Sequence, residues 1–305
     1  MRNKKIFWLF VVLSLFYVLV TLFTPSDQSV LVRYGVSATE ATLIELTVTL
    51  PIVAIWFLAY LGWSKISEYT QVVEPTKEAS GFQKITNGLL AFVLMLPINS
   101  TYNALARSIY SDNQSLTAPL VIVGNYIHIA ILLYAVIMLS KGAFELKSLA
   151  KKKLGWGFTN FGMVLLAILS FLYVYITLSN PYRQFAGESG TATYYLPDWL
   201  LASTVIFPYL IIFYLGFRTV QYIHIYKHSV PGVIYGDALK YIANGIGVSL
   251  IAILAIRYLA SLNSVFEDAA LKLVLALIYA LVVLIGIGFW LIGRGAKKLQ
   301  QIEEL

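Results

Sequence analysis

Residues 13–25, LSLFYVLVTLFTP, and residues 169–181, LSFLYVYITLSNP, share seven identities in thirteen positions. Outward from this pair the correspondence continues at nearly the same offset. Pro51 answers Pro208, and the pair Asn87-Gly88 answers Asn244-Gly245. Lys141-Gly142-Ala143 before Leu146 answers Arg294-Gly295-Ala296 before Leu299. The chain therefore reads as two homologous halves, residues 1–153 and 154–305.

Composition says where those halves lie. Hydrophobic residues make up 59% of the 305, charged residues only 12%, and the mean hydropathy is +0.77. A soluble domain carries about 25% charged residues, so a polytopic membrane protein is the class indicated. The absence of cysteine removes disulfides, thiolate metal sites and a cysteine nucleophile from consideration.

About 20 apolar residues of helix cross a bilayer core. Eight stretches meet that need: 6–23, 42–63, 85–106, 118–140, 155–178, 199–217, 241–260 and 269–292. They are continuous rather than alternating, which predicts helices, since a helix satisfies its backbone internally. The first could be mistaken for a signal peptide, but TPSDQ offers no small-x-small cleavage site and the stretch matches the fifth span. It is expected to stay as a membrane helix.

With the N-terminus in the cytoplasm, 17 of the 22 Lys and Arg fall on the cytoplasmic side. Only Arg33, Arg107, Arg183, Arg257 and Lys272 fall outside. That asymmetry predicts both termini inside, in a plasma membrane. Short loops favour a prokaryotic inner membrane. The net charge of +7 then reflects topology and anionic headgroups rather than nucleic acid. Four spans per half make the repeats parallel, related by a pseudo-two-fold axis along the membrane normal. The fold class expected is an all-α bundle of eight transmembrane helices, in which 141–150 and 294–303 form matching short helices below the membrane.

Features shared by both halves point to the scaffold. Pro51 and Pro208, mid-span, predict kinks that serve as hinges or fix helix geometry. Asn87-Gly88 and Asn244-Gly245 open their spans as caps or close-packing devices. Tyr17 with Thr21, and Tyr173 with Thr177, share a helix face and predict hydrogen bonds between helices.

Features found in one half point to function. Asn99, Asn103 and Arg107 form one stripe on the third span, and Asn125 and His128 share a face of the fourth. Glu45 stands near the outer end of the second span, where the other half has Ala202; Arg257 aligns with Ser100. Ionisable groups inside a bilayer usually face a cavity or the bundle interior. Glu45, Asn99, Asn103, Asn125 and His128 thus define a candidate outward-opening polar pocket for a ligand or proton pathway, with Arg257 available to an anionic group. The alternative is internal hydrogen bonding and headgroup contact. His224 and His228 have a metal-compatible spacing, but no acidic or thiolate residue completes a set, so no metal or cofactor is expected. Only His128 is intramembrane, which excludes a haem held by paired histidines.

No nucleophile elbow, P-loop or H-E-x-x-H motif appears, so the sequence gives no enzyme class. Two readings lead, with an intramembrane enzyme ranked third. One is a transporter or permease for a small polar or charged solute. The other is a non-transporting membrane scaffold, sensor or complex subunit.

Overall fold

The computed structural model describes residues 2–23, 37–72, 76–112, 114–150, 206–230, 233–262 and 268–303. It also describes short pieces at 167–168, 170–172, 174–175, 184–186 and 193–195. Several side chains within these ranges, including Glu45, Asn103, Arg107, Asn125 and Arg257, lie outside that description.

The elements are α1 (Arg2–Phe23), α2 (Ala38–Val72), α3 (Lys77–Asp112), α4 (Gln114–Ser148), β1 (Gln184–Ala186), β2 (Thr193–Tyr195), α5 (Phe207–Lys227), α6 (Val233–Leu262) and α7 (Asp268–Glu303). Among the described residues six helices are long and apolar enough to cross a membrane, at 4–23, 49–71, 77–102, 126–148, 234–256 and 279–301. The molecule is accordingly a multi-pass helical membrane protein. Of the eight expected spans, the sixth falls on α5, which is not one of these six. The fifth, with Tyr173 and Thr177, lies outside the described residues except for the helical pieces between 167 and 175.

β1 and β2 pair antiparallel, Gln184 opposite Tyr195, in the connection between the fifth and sixth expected spans. Two details differ from the expectation. The segments 141–150 and 294–303 are not separate helices. Through Ser148 and Glu303 they continue α4 and α7, because no proline or turn signal interrupts them. Asn87 and Asn244 do not cap: each sits about three turns inside a helix that starts earlier, at Lys77 or Val233.

The helices neighbour one another in a closed order, α2–α3–α4–α5–α6–α7 and back to α2, with α1 outside against α2 and α3. Glycine brings two pairs together. A Cβ on Gly88 of α3 would stand 2.7 Å from the Ala135 carbonyl and 2.8 Å from Leu139 of α4. A Cβ on Gly245 of α6 would collide with the Gly288 carbonyl and stand 2.7 Å from Ile292 of α7. Gly142 likewise approaches Gly81 and Ile85, and Gly295 approaches Ala238 and Ile242. Such contacts let dispersion and backbone packing associate helices where lipid offers no hydrophobic drive.

The core holds the fully buried Phe10, Trp63, Phe82, Phe92 and Phe289. The Phe92 and Phe289 rings meet at 5.5 Å, joining α3 to α7. The Trp63 indole N–H donates to the Thr86 carbonyl at 3.1 Å, which satisfies the one polar atom of a buried ring. At the end of the bundle where the basic residues gather, Lys84 pairs with Glu145 between α3 and α4. Lys298 pairs with Asp237 between α7 and α6 at 3.4 Å. Glu78 on α3 accepts hydrogen bonds from Tyr235 on α6 and Tyr226 on α5.

Candidate functional site

Two helices position the polar residues. On α3, Pro97 is buried inside the helix and removes the hydrogen bond that would return to Val93. Asn99 follows it, half-buried. On α4, Gly124 lets the Tyr102 ring lie against the backbone, for a Cβ there would stand 2.5 Å from Cδ1 of that ring. His128, one turn below Gly124, is 6% exposed.

Met95, Ile98, Asn99, Tyr102, Gly124, Ile127, His128 and Ile131 line one crevice of about 10 Å³. That is roughly the room of a single water. Below it the side chains of Leu132, Phe92 and Val93 are fully or almost fully buried. An apolar groove of about 360 Å³ adjoins it, lined by Ala91, Leu94, Ile98, Ala130, Ile131 and Tyr134.

The structure thus brings Asn99 and His128 together. Asn103 lies one turn further along α3 and Asn125 next to Gly124 on α4, with side chains outside the described part. Glu45 is on α2, a neighbour of α3. Arg257 is on α6, which contributes none of the described residues that line the crevice. The sequence reading missed Pro97 and Tyr102, although a proline two residues before a polar stripe is visible in the chain.

The other singled-out residues fall elsewhere. Pro51 is exposed within α2. Pro208 is buried at the start of the described α5, so a hinge there involves residues 201–205, outside the description. Asn87 is half-buried and accepts from Gln83 at 3.2 Å, and Asn244 is exposed. The Thr21 hydroxyl donates to the Tyr17 carbonyl at 2.9 Å in its own helix, not to a neighbour as expected. What joins α1 to α2 here is the Tyr17 ring, 5.1 Å from that of Trp56.

His224 is half-buried near the end of α5, with His228 exposed one turn on. Burial holds His224 below the ordinary histidine value, assisted by the positive fields of Lys227, His228 and Lys240. Those cations also oppose a metal ion there. Among the described residues no three of His, Asp and Glu gather around a point.

Comparison with protein-family models, curated proteins and solved structures finds no match to this chain.

Proposed function

We propose that this membrane protein is two fused four-helix repeats, residues 1–153 and 154–305, and acts as a helical scaffold or complex subunit. The repeat reading is supported by matched contacts. Gly81, Ile85 and Gly88 of α3 correspond to Ala238, Ile242 and Gly245 of α6, each 157 positions on. Ala135, Leu139 and Gly142 of α4 correspond to Gly288, Ile292 and Gly295 of α7, each 153 positions on. The same partners meet in both pairs. The helix order agrees: α2–α3, α3–α4 and α4–α5 become α5–α6, α6–α7 and α7–α2. Glu78 and Tyr235 are themselves equivalent and touch, as residues beside a two-fold axis must. The basic end, by the positive-inside argument, faces the cytoplasm and holds both termini.

The observation that carries the scaffold reading is the tightness of α3 against α4. A conduit needs a water-wide path, yet helices there meet at backbone distance and the crevice at Asn99 and His128 admits about one water. The second reading, an outward-opening permease, is favoured by those same two polar side chains meeting in one crevice near the midplane, with Asn103 continuing the stripe outward.

The native chain has no cysteine, so single cysteines at Asn99, Asn125 and His128, with Val121 and Leu132 for comparison, report cleanly. A membrane-impermeant thiol reagent added outside intact cells should label positions 99 and 128 as slowly as 132. Rapid labelling at 99, 125 and 128 would overturn the scaffold reading in favour of transport.

A further inference from the structure

Two tyrosines at the basic end each gather two cations, and only one group is complete. At Tyr241 the Arg294 guanidinium and the Lys298 ammonium both stand 5.0 Å from the ring centroid, and Asp237 supplies a carboxylate to Lys298. At Tyr222, in the seam between α4 and α5, Lys147 stands 4.7 Å and Arg218 4.8 Å from the centroid. No acid joins them. The ion pairs among the described residues are Lys65–Glu68, Lys84–Glu145 and Lys298–Asp237, and the nearest acid in sequence, Glu145, is held by Lys84 and Ser80. Arg218 Nη1 donates to Gln221 at 3.0 Å, while its buried Nε has no acceptor among the described residues.

We propose that the α4–α5 seam binds the phosphate of an anionic membrane lipid between Lys147 and Arg218. The proposal rests on the membrane reading. Two cations with no described acid between them beside one buried ring repel each other, and a bridging phosphate oxygen relieves that repulsion while accepting charge-assisted hydrogen bonds. Guanidinium geometry suits phosphate in particular. Phe144 makes the bound molecule a lipid rather than free phosphate: 54% exposed, it lies against Tyr222 at 5.7 Å and offers an apolar surface beside the charged pair. The site is single. At the corresponding seam between α7 and α2 the equivalent positions hold Gln300, Leu61, Lys65 and Lys297, and Gln300 donates to the Lys65 carbonyl instead.

The test uses the delipidated full-length protein in a non-ionic detergent, with bound lipid counted by native mass spectrometry. Phosphatidylglycerol should bind once with preference over phosphatidylcholine. Lys147→Gln and Arg218→Gln should each weaken it about tenfold, the loss expected for one hydrogen bond to a charged group. Lys147→Arg should retain binding, and Lys297→Gln, an exposed cation outside the seam, should leave it unchanged. If Arg218→Gln does not fold, Lys147→Gln and its arginine counterpart carry the comparison. Wild-type affinity in both folded glutamine variants would overturn the site. Glycerol 3-phosphate binding as tightly as the lipid would keep the phosphate site and overturn its lipid occupant. A failure of the membrane reading is separately visible, as a chain that does not sediment with membranes.

Discussion

Gly88→Ala sets two opposed effects against each other. Alanine is favoured over glycine within a helix by about 1 kcal/mol in water, and Gly88 lies well inside α3. Its added Cβ would stand 2.7 Å from the Ala135 carbonyl and 2.9 Å from the Leu139 amide nitrogen. Both are backbone atoms of α4, so no side chain can swing aside. Restoring an ordinary contact of 3.4 Å requires the helices to part by some tenths of an ångström along their whole interface. Overpacking of this kind costs about 1–3 kcal/mol, so the clash should win and the variant should be destabilised by up to about 2 kcal/mol. Gly245→Ala should behave alike, since its Cβ meets Gly288 and Ile292 of α7 in the same way. Gly247→Ala should do the opposite: the nearest atom to its Cβ is Val220 Cγ2 at 3.5 Å, so only the helix preference acts. Thermal unfolding of detergent-purified protein, followed by tryptophan fluorescence, reads all three. Equal stability of Gly88→Ala and Gly247→Ala would refute the backbone-contact argument. A loss at Gly88 without one at Gly245 would refute the equivalence of the two helix pairs.

Removing the Glu78 carboxylate with Glu78→Ala leaves Tyr226 and Tyr235 without their acceptor and should cost about 1–3 kcal/mol; an unchanged unfolding temperature would contradict this. Burial first, and the nearby Glu78 second, hold the Tyr226 hydroxyl above its ordinary range. The folded state therefore keeps that proton longer than the unfolded chain, so its contribution is full below about pH 10 and is lost as pH rises beyond. Tyr226→Phe should flatten stability above pH 10, measured against wild type. His224 is shifted the other way: the unfolded chain takes up its proton first, so stability should fall as pH drops below about 6.5. The midpoint of the His224 imidazole in an NMR titration should lie below the ordinary histidine value of about 6.5, and a midpoint at or above that value would contradict the burial argument.

Membrane class and the helical nature of the chain were legible because apolar run length and low charge leave few alternatives. Within the matched Asn-Gly pairs, Gly88 and Gly245 stand at backbone contacts. What misled was the neighbour: Asn87 and Asn244 looked like span openings because hydropathy marks where the bilayer starts, whereas a helix continues for as long as its backbone bonds are satisfied. The same reason hid the continuity of α4 through Lys141 and Ser148. For the polar pocket, spacing alone placed Asn125 and His128 on one face of α4, but not which face of α3 they meet. Gly124 and Tyr102 settle that for His128 and Asn99, through a close approach that only a three-dimensional arrangement reveals. Thr21 shows the limit of face-sharing arguments, since a hydroxyl can return to its own helix.

The two ion pairs at the basic end carry opposite polarity. In the α3–α4 pair the carboxylate is on the second helix, Glu145, opposite Lys84; in the α6–α7 pair it is on the first, Asp237, opposite Lys298. The glycine contacts alone do not tell the α3–α4 pairing from an exchange that sets α4 against α6. That exchange would set Glu145 against Asp237, and its counterpart would set Lys84 against Lys298. Like charges at a helix interface repel, so the reversed polarity disfavours the exchanged pairing and tells the two helix pairs apart where the glycine contacts do not.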